Sequence, residues 1–146
     1  KRIFAICQLV RCGFDHIDIA TVYCSLIRPV IEYASQVWHS GLTKTQSDEI
    51  ERVQRRCLHI IYPQLSYSDA RAVSGLQLLS VRRENAVIKL FNEIKNPSHV
   101  LHYLLPMKPS RNGSVTRDKY PFELKCGKTS RRTHSMIYYC IGKSIK

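Results

Sequence analysis

Cys126, His134 and Cys140 are the side chains of this sequence with the chemistry to hold a metal ion, since zinc prefers thiolate and imidazole, and Cys12 could supply a fourth donor. Structural zinc sites, however, draw on close cysteine pairs, and these residues are separated by eight and six positions. No zinc site is expected. His99 and His102 stand three apart, on one face of any helix that carries them, but neither a carboxylate ligand nor a glutamate base accompanies them. They are read as surface or packing residues. Cys24 with His39 or His59 has no third group to orient the pair, so a cysteine nucleophile is not expected either. The sequence thus predicts no catalytic residue and no metal ligand of its own.

What remains is cationic. Arg52, Arg55, Arg56 and His59 recur at i, i+3, i+4 and i+7, which places them on one helix face where guanidinium groups could meet successive phosphates. A second interpretation is a solvated face in which Asp48 pairs with Arg52 and Glu51 with Arg55 at i, i+4. Arg82 and Arg83 form a weaker basic pair. Further along, Lys125, Lys128, Arg131 and Arg132 are interleaved with Tyr120, Phe122, Tyr138 and Tyr139, a mixture suited to phosphate contact and base stacking. The same aromatics would also serve to pack a hairpin on the body of the protein.

The net charge of +12 is uneven, because residues 107–146 hold ten Lys and Arg against two acids and so carry +8 of it. Such a balance favours a polyanionic partner. No apolar run approaches the roughly 20 residues of a membrane span, so no membrane association is expected. With six scattered cysteines, no CxxC pair and no secretory signal, a reduced intracellular protein is expected, nuclear or cytoplasmic and not secreted. Cys7, Cys24 and Cys57 fall within apolar patterns as small hydrophobes.

The elements that would position the arginines are helical. Ile3, Phe4, Ile6, Cys7 and Val10 mark a first helix that is under way from Lys1, which leads one to expect chain upstream. Asp15 or Asp18 caps a second, with Ile19, Val22, Tyr23, Leu26 and Ile27 inward. A kink or a break is expected at Arg28-Pro29, and the pattern resumes through Val30, Ile31, Tyr33, Ala34, Val37 and Trp38 to Gly41, with Tyr23, Tyr33 and Trp38 as core anchors. Thr43 and Gln46 form a capping box for the helix that carries the arginines, whose apolar stripe is Ile50, Val53, Cys57, Leu58, Ile60 and Ile61, and which Pro63 ends. A short helix over residues 66–74 stops at Gly75, and Ser80 is the expected cap of another with Val81, Ala86, Val87, Leu90, Phe91 and Ile94 inward. Beyond Pro106 the segments 120–124 and 136–141 are expected to form a short β-hairpin. The fold class is therefore mainly α: a small helical bundle at 1–106 and a basic, partly irregular segment at 107–146.

The run Tyr23-Cys24-Ser25-Leu26-Ile27-Arg28-Pro29-Val30-Ile31-Glu32-Tyr33-Ala34, followed by Val37-Trp38-His39 and Ile50-Glu51-Arg52-Val53-Gln54-Arg55-Arg56, resembles the C-terminal region of jockey- and CR1-like non-LTR retrotransposon reverse transcriptases. The resemblance continues through Gly75-Leu76, Arg82-Arg83-Glu84, Pro97-Ser98-His99, Leu104-Leu105-Pro106 and Arg131-Arg132 to Tyr139-Cys140. It implies a thumb that grips template and primer, ending in a basic extension. RNA or an RNA/DNA hybrid is then the implied partner, together with the palm and fingers of the same polyprotein. The full-length family enzyme would use Mg held by an aromatic-x-Asp-Asp hairpin, and this chain contains no adjacent aspartate pair; Phe14-Asp15-His16-Ile17-Asp18 lacks the spacing. The expectation is a fragment without cofactor or independent catalysis. The alternative expectation is a packing module that needs the missing palm.

Overall fold

In the computed structural model, which describes residues 2–106, 122 and 129–143 (for Arg131 and Arg132 the backbone alone), the chain is mainly α and no described residue is in a strand. It divides into two compact units, Lys1–Ala34 with Leu42–Arg83 and Ser35–Gly41 with Glu84–Lys146.

The first unit begins with helix α1 (Arg2–Arg11), and Asp15, in extended backbone, accepts from the Ile17 N–H to start α2 (His16–Val22). Proline at 29 cannot donate to the carbonyl four residues back and would clash with it. The chain answers by widening into a π-turn over Tyr23–Ile27, closed by the Arg28 N–H on the Tyr23 carbonyl, before α3 (Arg28–Glu32) resumes. The expected bend at Pro29 is thus a π-bulge. The expected continuation to Gly41 fails at Ala34, which sits in the left-handed region at φ 50°, and Tyr33 beside it is 81% exposed rather than a core anchor.

Thr43 and Gln46 make the capping box reciprocally, at 3.2 and 3.0 Å, and start α5 (Lys44–Ile61). Tyr62, non-helical before Pro63, ends it. Ser66 caps α6 (Tyr67–Ser74), which closes in a Schellman motif: Gly75 is left-handed at φ 65°, and the Leu76 N–H reaches the Arg71 carbonyl at 2.9 Å. Nothing crowds a Cβ at Gly75, so Gly75→Ala meets only the backbone cost of positive φ and is expected to lower stability by about 1 kcal/mol in a urea titration. Ile6, Ile19, Tyr23, Ile27, Cys57, Leu58 and Ile61 form the core of this unit. Each fully buried Leu or Ile side chain there contributes about 1.5–3 kcal/mol.

Helix α7 (Leu79–Ile94) begins one residue before Ser80, which is therefore not its cap. The buried positions are Leu79, Arg83, Val87, Phe91 and Ile94, a stripe at i+4 and finally i+3 spacing that puts an arginine where an apolar residue would stand, while Val81 is exposed.

The second unit includes α4 (Ser35–Trp38), the 3-10 turns His39–Gly41 and His102–Leu104, α8 (Ser130–Thr133) and α9 (Met136–Lys143). Val87, Phe91, Cys140 and Ile141 form its core, with Phe122 edge-on to Phe91 at 6.3 Å and Tyr139 edge-on to His39 at 6.0 Å. The Ser40 hydroxyl donates to the His134 carbonyl at 2.6 Å, and Lys143 pairs with Glu84. The segment 136–141, expected as a hairpin arm, is helical. Its residue types favour strands, but Met136, Ile137, Cys140 and Ile141 recur with helical period and all pack into this core. The other expected arm lies outside the described residues except for Phe122.

Candidate nucleic-acid interface

Helix α5 presents two working faces. On its buried side stand two polar residues, Glu51 and Gln54, at positions where the apolar pattern gave no sign of them. Gln54 accepts from the Tyr23 hydroxyl at 2.9 Å, and its amide donates to the Tyr67 hydroxyl and to the Gln77 carbonyl, both at 3.0 Å. The Tyr67 hydroxyl donates in turn to Glu51, whose second oxygen accepts from the Leu79 N–H at 3.0 Å. Because the Arg82 N–H bonds the Leu78 carbonyl, Leu79 is the first residue inside α7, and a carboxylate from α5 does the capping expected of Ser80. This chain of bonds joins α2's continuation, α5, α6 and the start of α7 within the first unit.

The network restrains the protonation of its tyrosines. Burial, reinforced by the bond to Glu51, pushes the Tyr67 phenol up to about 12, and burial pushes Tyr23 up as well. The folded phenol holds its proton more tightly than the unfolded one, whose ordinary value is near 10. The stabilisation is therefore complete below pH 10 and is lost as pH rises from 10 towards 12. Thermal denaturation followed by circular dichroism should show a steeper fall over that window in the parent protein than in Tyr67→Phe.

Turning around the helix, Arg52, Arg55, Arg56 and His59 are all exposed, as the spacing predicts. Together with Leu58, Leu65, Tyr67 and Ala70 they line a groove of about 420 Å³. The Arg55 guanidinium lies 5.0 Å and that of Arg71 5.2 Å from the Tyr67 ring centre, cation–π contacts that hold the ring from outside while the network holds its hydroxyl from inside. The i, i+4 pairing of the solvated-face interpretation is not formed. Glu51 is turned inward to Tyr67 and Leu79, and among the described residues no carboxylate lies within salt-bridge distance of Arg52, Arg55 or Arg56.

The other basic candidates are placed differently. Arg82 grips Glu32 with two bonds, at 2.8 and 3.2 Å, and this pairing raises its pKa. Arg83 is fully buried and donates to the Ser47 hydroxyl at 2.9 Å; burial lowers its pKa. It cannot meet a phosphate there, because the i+4 stripe of α7 carries it inward. Lys125 and Lys128 lie outside the described residues, and of Arg131 and Arg132 the backbone is described, in α8. Compared with protein-family models, curated proteins and solved structures, the chain matches none.

His99, His102, Cys57 and Cys140 serve the fold. His99 accepts from the Leu101 N–H at 3.1 Å and His102 bonds the Ile94 carbonyl at 2.9 Å, so both rings close turns. Cys57 and Cys140 are buried thiols pushed up to about 11, where the reactive thiolate is scarce at neutral pH. Among the described residues no three His, Cys, Asp or Glu side chains converge as metal ligands, and no helix is long and apolar enough to cross a membrane.

Proposed function

We propose that the chain is a sequence-nonspecific binder of RNA or RNA/DNA hybrid, with the role of the thumb region it resembles in non-LTR retrotransposon reverse transcriptases. The observation that carries this reading is the α5 face. Three exposed guanidinium groups stand within two turns of one rigid helix, and Glu51, the carboxylate four residues before Arg55, is committed to the interior. Guanidinium groups without internal counter-ions bind phosphates and release the cations condensed on them. The net charge of +12 supports the same partner. The resemblance would place the protein inside the cell, in nucleus or cytoplasm.

A second reading, a packing module that docks on a missing palm domain, draws support from the exposed Ile17, Val30 and Tyr33 of the first unit. A filter-binding titration of the whole chain with a single-stranded RNA of about 20 nucleotides discriminates the two. Retention that weakens steeply with added salt is expected for the binder. A chain that retains no RNA at low salt refutes it in favour of the packing module.

A further inference from the structure

The groove beside the arginines is more than a strip of charge. One side carries Arg52, Arg55 and Arg56 with the His59 ring beside them, and the other is apolar, the exposed Leu65 and half-buried Tyr67 backed by the buried Leu58 and Ala70. A ligand offering phosphates alone would satisfy the guanidinium groups and leave the apolar wall in water. A purely apolar ligand would do the reverse. Among the described residues no carboxylate lines the groove to repel an anion. Its volume of about 420 Å³ falls within the range of roughly 300–1,000 Å³ typical of small-molecule sites. Tyr67, held at its hydroxyl by Glu51 and Gln54 and at its ring by Arg55 and Arg71, is a fixed wall rather than an adaptable one.

We propose that this groove receives one unstacked nucleotide of a single strand, its base against Leu65 and Tyr67 and its phosphate against the α5 arginines. Guanidinium planes also stack on unpaired bases, which a duplex keeps inside its own stack. The groove therefore selects single strands over hybrid duplexes. This inference rests on the polyanion-binding reading above but is separable from it.

The test is a fluorescence-anisotropy comparison on the full chain with four probes: a 12-nucleotide single-stranded RNA, an abasic strand with the same number of phosphates, the RNA paired to its DNA complement, and poly-glutamate as competitor. The single-stranded RNA is expected to bind about tenfold more tightly than the abasic strand and than the hybrid. Leu65→Ser, at a surface position whose folding is checked by far-ultraviolet circular dichroism, should bring the RNA to within twofold of the abasic strand and leave the abasic strand unchanged. Equal affinity of the parent chain for RNA and abasic strand overturns the nucleotide pocket while leaving polyanion binding intact. Competition by poly-glutamate as effective as that by RNA, at equal charge, overturns it in favour of an acidic-peptide site. Failure of every strand to bind overturns the reading on which the inference rests.

Discussion

Glu51→Ala is expected to lower the stability of the chain by about 3 kcal/mol, the largest single-residue effect foreseen for a polar position here. The carboxylate accepts the Tyr67 hydroxyl proton with one oxygen and the Leu79 N–H with the other, and the variant leaves both donors without their acceptor at buried or half-buried positions. Each unsatisfied donor costs about 1–3 kcal/mol. In a domain of this size about 3 kcal/mol corresponds to a fall in Tm of roughly 10 °C. Glu51→Gln keeps an acceptor for only one of the two donors and should lie between the parent and the alanine variant. If instead the helix α7 start were capped locally, Glu51→Ala would cost no more than a surface substitution, within about 0.5 kcal/mol. The loss should also reach the groove, since Tyr67 is its fixed wall and Glu51 is what fixes the hydroxyl.

Much of this scaffold could be read from residue types. Thr43 with Gln46, Asp15, and Ser66 with Gly75 are local devices, in which the bonded partner lies within five residues, and each appears where expected. The misses have a common physical origin. Glu51 read as half of a surface pair with Arg55, and nothing marked Gln54, because their partners, Tyr23, Tyr67, Gln77 and Leu79, come from elsewhere in the chain. Arg83 read as half of a basic pair because nothing local marks it as the occupant of the α7 stripe. Ser80 read as a cap because a carboxylate arriving from α5 leaves no trace beside it. The segment 136–141 shows the opposite case: its helical period was present in Met136, Ile137, Cys140 and Ile141, and the β-prone residue types outweighed it. The arginine face of α5 was legible as a periodicity, but the absence of a salt bridge to it among the described residues was not, because the pairing of Glu51 with Arg55 depends on where Glu51 points.

The same inward turn of Glu51 governs the largest expected effect on binding. Charge reversal of all three arginines, Arg52→Glu with Arg55→Glu and Arg56→Glu, removes three phosphate contacts and adds three repulsions, on side chains that are exposed and make no salt bridge within the first unit. For single strands each neutralised phosphate contributes about 0.7 to the slope of log affinity against log salt, so three lost contacts should flatten that slope by about 2. At a salt concentration of about 0.05 M the affinity itself should fall on the order of a hundredfold. The fold should persist, because the buried face of α5 is untouched. Arg82→Ala is the informative contrast: it should lower stability through the lost bonds to Glu32 and leave the salt slope where it is.

The measurement closest to the central claim is accordingly the salt dependence of single-stranded RNA binding by the parent chain and the triple α5 variant, side by side. A parent slope that flattens by about 2 in the variant, with unchanged circular dichroism, is the predicted result. Parallel slopes and equal affinities would place the binding charge elsewhere and contradict an α5 interface.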